Sequence, residues 1–160
     1  MTEETLVDFA LVAYFEDGQW QVGSLPPRAA ADMHSFVHAL RQQQSDGVAL
    51  GLCSYGDDFF LAVRLHGDDV RLLLSDVSAV GEWPIAQQAL ELIDEPEPDD
   101  DDGVQPGGDL SIFADLGVSA MEVNAICSEL ELYPDEMLGQ IATHIGFGPQ
   151  FELAVDPDRG

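Results

Sequence analysis

The chain has 160 residues, of which 46% are hydrophobic, so it is long and apolar enough to build a folded core and is not wholly disordered. It carries 31 acidic residues against five arginines and no lysine, which gives a formal net charge of −26. Such a surface repels nucleic acid and anionic membranes and attracts basic proteins, and no apolar stretch reaches the roughly 20 residues of a membrane helix.

The first segment begins with the pattern of a strand that is buried on one face. Its apolar residues alternate along the chain: Val7, Phe9, Leu11, Ala13 and Phe15. Asp17-Gly18 predicts a hairpin turn, and the return strand begins at Trp20. A helix over residues 29–43 follows, with one apolar stripe at Met33, Phe36, Val37 and Leu40.

Three closely spaced strands are predicted next, over residues 48–54, 59–66 and 70–75, with Gly-Asp-Asp turns between them. In the second of them the apolar residues Phe59, Leu61, Val63 and Leu65 alternate onto one face, and Arg64 and His66 onto the other. A second helix is predicted over residues 84–93, with Pro84 in its first turn. The order ββαβββα predicts an α+β fold, in which an antiparallel five-stranded sheet packs against two helices. We therefore assign residues 1–93 to a sheet domain.

Residues 94–108 are predicted to form a flexible acidic linker that ends in Pro106-Gly107-Gly108. Seven acids and two prolines within nine residues cannot bury apolar surface, and the like charges extend the chain. We regard these acids as candidate interaction residues: Asp94, Glu95, Glu97, Asp99, Asp100, Asp101 and Asp102.

Residues 109–160 are predicted to form a small C-terminal helical module. A short helix over residues 109–116 ends at Gly117, and Ser119 and Glu122 form a capping box for the next helix. Pro134 begins a further helix that ends at Gly146. Residues 147–160 show no pattern to which we assign a role. The module is near the size at which a lone core becomes marginal, so it either packs on the sheet or orders on a partner.

No metal or cofactor site is predicted. His34 and His38 lie four residues apart on the first predicted helix, with Asp32 as a third candidate ligand. Two histidines do not complete a zinc shell, so a solvated helix face explains them better than a metal site does. His66 and His144 are isolated in the sequence and are expected to be structural or exposed.

No catalytic site is predicted either. Nucleophile motifs and phosphate-binding glycine loops are absent, and Ser54-Tyr55-Gly56 is better explained as a turn. The carboxylate pairs Asp57-Asp58 and Asp68-Asp69 fall at hairpin tips, where burial does not tune a pKa. We therefore expect a protein that is not an enzyme.

The two cysteines and the N-terminus both favour a reducing compartment. Cys53 and Cys127 lie in unlike segments, and two free buried thiols are expected rather than a disulfide. The acidic start Met1-Thr2-Glu3-Glu4 lacks the basic region of a signal peptide. A cytoplasmic location is therefore expected.

Short sequence blocks along nearly the whole chain resemble the bacterial tRNA adenosine deaminase-associated proteins. They are the opening hairpin at residues 9–20, Leu72-Leu73-Leu74-Ser75-Asp76, and the two blocks Pro106-Gly107-Gly108-Asp109 and Phe113-Ala114-Asp115-Leu116-Gly117-Val118. The resemblance implies association with the tRNA-specific adenosine deaminase and implies no catalytic residues. The acidity of this chain gives a physical reason for such an association, because a deaminase that handles tRNA needs a basic face.

Three functions follow as hypotheses. The first is a non-catalytic partner or regulator of the tRNA adenosine deaminase or of another basic RNA-handling protein, without direct nucleic acid binding. The second is a nucleic-acid mimic that inhibits a basic protein, for which the proline-broken acidic run is too flexible a support. The third is a small-molecule sensor that uses the crevice between sheet and helices, which only the topology favours.

Overall fold

The computed structural model of the chain combines one antiparallel sheet with helices on both faces of the sheet. It describes residues 7–16, 18–25, 29, 32–43, 49–55, 59–66, 69–76, 84–92, 107–129 and 131–155. The strands are Val7–Glu16 (β1), Gln19–Ser24 (β2), Ala49–Tyr55 (β3), Phe59–His66 (β4), Asp69–Leu74 (β5) and Gly107–Gly108 (β6). The α-helices are Met33–Gln43 (α1), Pro84–Leu92 (α2), Ala120–Cys127 (α3), Pro134–Ile145 (α4) and Gly148–Val155 (α5).

The predicted α+β class and the order ββαβββα are confirmed, but the sheet has six strands rather than five. Its strand order is β2-β1-β3-β4-β5-β6, and every neighbouring pair is antiparallel. The additional strand, β6, pairs Leu73 with Gly108 and Leu74 with Gly107, at residues that the sequence placed at the end of the acidic linker. The prediction missed it because two glycines have no strand propensity and no alternation of apolar side chains.

Gly108 is required at this close approach between β6 and β5. Its φ of +96° lies in the left-handed region, and a Cβ atom there would lie 2.4 Å from the carbonyl oxygen of Leu72. Because that oxygen belongs to the backbone of β5, no side-chain movement would relieve the contact. Any residue with a side chain at position 108 would therefore force the backbones of β5 and β6 apart.

One face of the sheet packs against α1 and α2. Phe36 and Leu40 of α1 are fully buried against Gly51 of β3, where a Cβ atom would lie 2.6 Å from the Phe36 ring. The predicted inward alternation of β4 is confirmed on this face, where its fully buried residues are Phe59, Leu61, Val63 and Leu65.

The other face of the sheet packs against α3, α4 and α5. Seven fully buried sheet residues form this face: Leu11, Ala13, Leu50, Leu52, Phe60, Ala62 and Leu73. They contact a cluster from the C-terminal part of the chain that includes Phe113, Leu138 and Phe147. The expectation that β1 is buried on one face only is wrong, because Ala10 and Val12 are buried on the α1 side while Leu11 and Ala13 are buried on this one.

The predicted helix ends of the C-terminal part are largely confirmed. The side chain of Ser119 accepts the backbone N–H of Glu122, whose carboxylate reaches back in the predicted capping box. Pro134 is the first residue of α4, and Gly117 and Gly146, both at positive φ, end the helical turns before them. The predicted helix over residues 109–116 is only a 3-10 helix at Ala114–Leu116, preceded by turns.

The helix α5 was not predicted. It has eight residues with Pro149 in its first turn, and only Gly148 and Phe151 are fully buried, so no apolar stripe announces it. Along the described parts of the chain, every helix is too short or too polar to cross a bilayer.

Candidate interaction surfaces

The acidic run that the sequence singled out lies outside the described residues, as do Asp57, Asp58 and Asp68. The described chain stops at Leu92, the last residue of α2, and resumes at Gly107 in β6. The sequence-based assignment of the seven acids as interaction residues therefore stays a prediction.

Arg64, in β4, holds the segment before α3 against the sheet. Its side chain is 8% exposed, and its guanidinium donates to both carboxylate oxygens of Asp115 at 2.6 and 2.8 Å. It also donates to the carbonyl oxygen of Ile112 at 2.7 Å. The bidentate hydrogen bonds from Arg64 lower the pKa of Asp115 from 3.8 to about 2. The same hydrogen bonds raise the pKa of Arg64.

A second arginine repeats this arrangement one strand away. Arg71 of β5 pairs with Asp109 and donates to the carbonyl oxygen of Ser111 at 3.0 Å. The backbone N–H of Asp109 in turn donates to the carbonyl oxygen of Leu72 at 2.8 Å. Two of the chain's five arginines are thus paired with aspartates of the segment before α3.

The outer face of α3, α4 and α5 carries carboxylates without any compensating lysine or arginine. Between residues 119 and 155 the sequence has six acids, no lysine and no arginine. All six side chains are exposed: Glu122, Glu129, Glu131, Asp135, Glu136 and Glu152. We call this surface the acidic helical face. Four of its carboxylates lie on the packed helices, and those of Glu129 and Glu131 lie in the connection between α3 and α4.

A groove of about 510 Å³ lies between α4 and α5 within the acidic helical face. Asp135, Glu136 and Glu152 lie along it, and Phe151 and Leu132 add apolar surface. One carboxylate oxygen of Glu136 already has a hydrogen-bond partner within the chain, because it accepts the backbone N–H of Tyr133 at 3.1 Å. Within the described residues, the carboxylates of Asp135 and Glu152 make no hydrogen bond or ion pair, and both side chains are exposed.

A larger groove of about 720 Å³ lies between α1, α2 and β5 on the opposite side of the sheet. Met33, Val37 and Leu72 give it apolar walls, and His34 and His38 lie at its rim. It is the crevice that the sensor hypothesis required.

The two rim histidines do not form a metal site with other described residues. Both are exposed, and His38 shares a hydrogen bond of 3.1 Å with Gln42. The carboxylate of Asp32 is engaged at the start of α1 by the backbone N–H and the hydroxyl of Ser35. No group of three potential ligands comes together within the described ranges.

Neither cysteine is poised as a nucleophile. Both thiols are free and buried, as predicted, and they lie in the cores on opposite faces of the sheet. Burial raises the pKa of Cys53, which is hydrogen-bonded to Tyr55, and burial with the nearby Asp76 carboxylate raises that of Cys127 to about 12. Both groups are thiols at neutral pH, and a thiol is a poor nucleophile.

Comparison with known proteins identifies relatives along most of the chain. A family described as Rv3753c-like tRNA adenosine deaminase-associated protein matches residues 8–148, which run from β1 to the first residue of α5. Protein Rv3753c of Mycobacterium tuberculosis (strain ATCC 25618 / H37Rv) is 34% identical over 151 residues, which cover 92% of this chain and 87% of the relative. No solved structure matches the chain. The chain belongs to the Rv3753c-like tRNA adenosine deaminase-associated protein family.

Proposed function

We propose that this protein is a non-catalytic cytoplasmic partner of the tRNA-specific adenosine deaminase, or of another basic RNA-handling protein, and that it docks through the acidic helical face. The observation that carries the proposal is the set of six exposed carboxylates on three packed helices and the connection between α3 and α4, with no lysine or arginine between residues 119 and 155. The family description names the deaminase as the protein with which its members are associated.

Charge complementarity explains why a basic partner fits. A protein that handles RNA carries lysine and arginine on its surface, and an acidic face is attracted to such basic patches, including those outside the RNA site. Such attraction raises the association rate and fixes the orientation of the complex more than it adds affinity. It is also screened by salt, since the Debye length falls from about 30 Å at 0.01 M to about 8 Å at 0.15 M.

The groove between α4 and α5 is the part of this face best suited to anchor a basic side chain. Asp135 and Glu152 line it from two different helices, so an arginine that enters the groove meets a carboxylate from each helix. Leu132 and Phe151 add apolar surface to the same groove, on which the aliphatic part of a basic side chain can pack. Arginine is therefore the expected anchor residue of the partner.

Binding of the purified protein to the purified deaminase, measured at low and at high salt, tests the proposal. The double variant Asp135→Asn with Glu152→Gln is expected to weaken binding by about 2- to 30-fold, at roughly 0.2–1 kcal/mol for each surface charge. The matched control is Asp69→Asn with Glu91→Gln, which removes two exposed charges from β5 and α2. The control is expected to bind within about twofold of the wild type.

The result that would overturn the proposal is the absence of a complex at either salt concentration. Equal weakening by both double variants would show that net charge, and not the acidic helical face, controls binding. Deletion of residues 94–102 separates the two sources of acidity, because docking by the folded face survives the deletion and docking by the acidic run does not.

A nucleic-acid mimic is a second candidate, and the structure strengthens the physical case for it. Carboxylates fixed on helices can match the spacing of phosphates better than a proline-broken run can. Short duplex RNA competes with a mimic for the partner's RNA site, and it leaves a docking partner bound elsewhere in place. Competition measured in the same binding assay therefore distinguishes the two functions.

The groove of about 720 Å³ between α1, α2 and β5 favours small-molecule sensing as a third candidate. Its size and apolar walls are typical of sites for small organic ligands. Native mass spectrometry of the protein purified from its own host tests this candidate, because a sensor would carry a bound ligand and a purely docking protein would be found without one.

A further inference from the structure

Among the residues that the structure describes, the strand β2 forms one edge of the sheet and presents part of its backbone outward. The N–H of Leu25 donates to the carbonyl oxygen of Ala10 at 2.7 Å, so these two residues face each other as a hydrogen-bonded pair. In the same register Gly23 and Gln21 bond inward to β1. The alternate residues of β2 therefore direct their N–H and C=O groups away from the sheet: Trp20, Val22 and Ser24.

This edge lacks the features by which proteins usually prevent strand addition. The sequence Gln19–Ser24 contains no charged residue and no proline, although the whole chain carries a net charge of −26. The opposite edge, β6, is only two residues long. On β2 one outward group is engaged, because the amide of Gln150 donates to the carbonyl oxygen of Trp20 at 3.3 Å.

Exposed apolar side chains flank the same edge. Phe15 is 51% exposed and contacts Trp20 edge-on, with ring centroids 5.5 Å apart. Leu153 of α5 is 53% exposed and lies one turn after Gln150, on the same side of that helix. A strand added at β2 would cover these side chains as well as the outward backbone groups.

A second copy of this chain is the occupant that fits the edge. An antiparallel pair of β2 strands related by a two-fold axis at Val22 places Trp20 opposite Ser24 of the other copy, and Ser24 opposite Trp20. Each outward N–H then meets an outward C=O, once Gln150 releases the Trp20 oxygen. Because both strands are uncharged, the strands themselves add no repulsion between two acidic chains.

The helix α5 supplies the rest of such an interface. Phe151 packs on Phe9 of β1 at 5.7 Å, and Phe147 packs on Trp20 of β2 at 5.1 Å, so α5 lies over these two strands. The two-fold axis would place its copy over the matching strands, roughly two strand spacings or about 10 Å away. That is the separation at which helices pack, and Leu153 of each copy would be covered.

We infer that the protein forms a two-fold dimer in which β2 strands pair antiparallel and the sheets of two chains become continuous. This dimer is independent of the proposed docking to a basic partner, because it uses the uncharged edge and not the acidic helical face. Its response to salt is also opposite, since salt screens the repulsion between two chains of net charge −26.

Sedimentation equilibrium of the full chain tests the dimer over a range of protein and salt concentrations. The wild type is expected to dimerise, and more tightly as salt rises. Ser24→Pro removes an outward N–H without removing a bond to β1, and it is expected to weaken dimerisation roughly tenfold or more. Ser24→Ala is the matched control, because it also removes the hydroxyl but keeps the N–H, and it is expected to dimerise as the wild type does.

A second variant keeps the test decisive if the proline substitution unfolds the strand. Gln21 is exposed, and in the pair its side chain would lie about 7–8 Å from Gln21 of the other copy. Gln21→Glu is therefore expected to weaken dimerisation, most strongly at low salt. A wild type that is monomeric at every salt and protein concentration would overturn the inference, as would equal dimerisation of Ser24→Pro and Ser24→Ala. The affinity of a single acidic helical face for the deaminase is expected to be unchanged in Ser24→Pro.

Discussion

Removing the C-terminal part of the chain is the strongest test of how this fold is held together. The sequence predicted that residues 1–93 form a domain of their own, and that division stays a prediction. In the structure, however, five large side chains on the second face of the sheet are 0% exposed and cluster with buried residues between 112 and 151 of the C-terminal part: Leu11, Leu50, Leu52, Phe60 and Leu73. The burial pattern therefore predicts that a fragment of residues 1–93 does not fold stably.

The expected loss in the free energy of unfolding follows from the burial of those five side chains. Each contributes about 1.5–3 kcal/mol when fully buried, so exposing all five costs roughly 8–15 kcal/mol. The free energy of unfolding of a typical domain is only about 5–15 kcal/mol, so the loss removes most or all of it. The estimate is an upper one, because an unfolded chain already buries part of its apolar surface.

Two measurements check this expectation. Circular dichroism and urea titration of the 1–93 fragment are expected to show no cooperative transition, whereas the full chain unfolds cooperatively. In a variant with a protease site inserted between residues 94 and 106, the cleaved halves are expected to remain associated until urea separates them. A 1–93 fragment that is soluble and unfolds cooperatively by itself would refute the reasoning and support the sequence-based division.

Three further predictions concern single side chains. Gly51→Ala is expected to lower the free energy of unfolding by about 1–3 kcal/mol, seen as a lower urea midpoint, because its Cβ would lie 2.6 Å from the Phe36 ring. The pair of Arg64 with Asp115 is expected to contribute about 1 kcal/mol, allowing for the 61% exposure of the carboxylate. Since the pKa of Asp115 falls from 3.8 to about 2 on folding, this contribution is present above 3.8 and lost as the pH falls towards 2. In Asp115→Asn the free energy of unfolding is expected to depend less on pH between about 4 and 2. A pH dependence equal to that of the wild type would contradict this expectation. Cys127 is expected to resist a thiol reagent in the native protein and to react in urea, and rapid native labelling would contradict its burial.

Features encoded within a few residues could be predicted from the sequence. The capping box from Ser119 to Glu122 and the start of α4 at Pro134 depend only on neighbouring residues, and both are present. The inward alternation of β4 is likewise a local pattern, and it is confirmed. Local signals of this kind are strong because the residues that satisfy each other are adjacent in the chain.

Features that join distant parts of the chain could not be predicted in this way. Arg64 and Asp115 are 51 residues apart, and no local pattern links a strand arginine to an aspartate in a turn. The burial of β1 on both faces depends on helices that begin more than 100 residues later, so its alternation was interpreted as one-sided. The absence of charge along β2 was visible in the sequence, but its meaning required knowing that β2 is an edge strand.

The proposed dimer and the proposed docking to a basic partner use different surfaces, so both can occur in the same particle. Glu152 lines the groove towards α4, while Gln150 and Leu153 lie towards the β2 edge, so α5 contributes to both surfaces through different side chains. A two-fold dimer would therefore leave both acidic helical faces uncovered. A dimer carries two acidic helical faces, and a basic partner with two matching sites can engage both at once. Such a partner would bind the dimer more tightly than it binds one face, without any new type of contact, if its two sites have the same spacing as the two faces. If that relation holds, Ser24→Pro would leave the affinity of a single face unchanged while lowering the avidity for a basic surface that engages both.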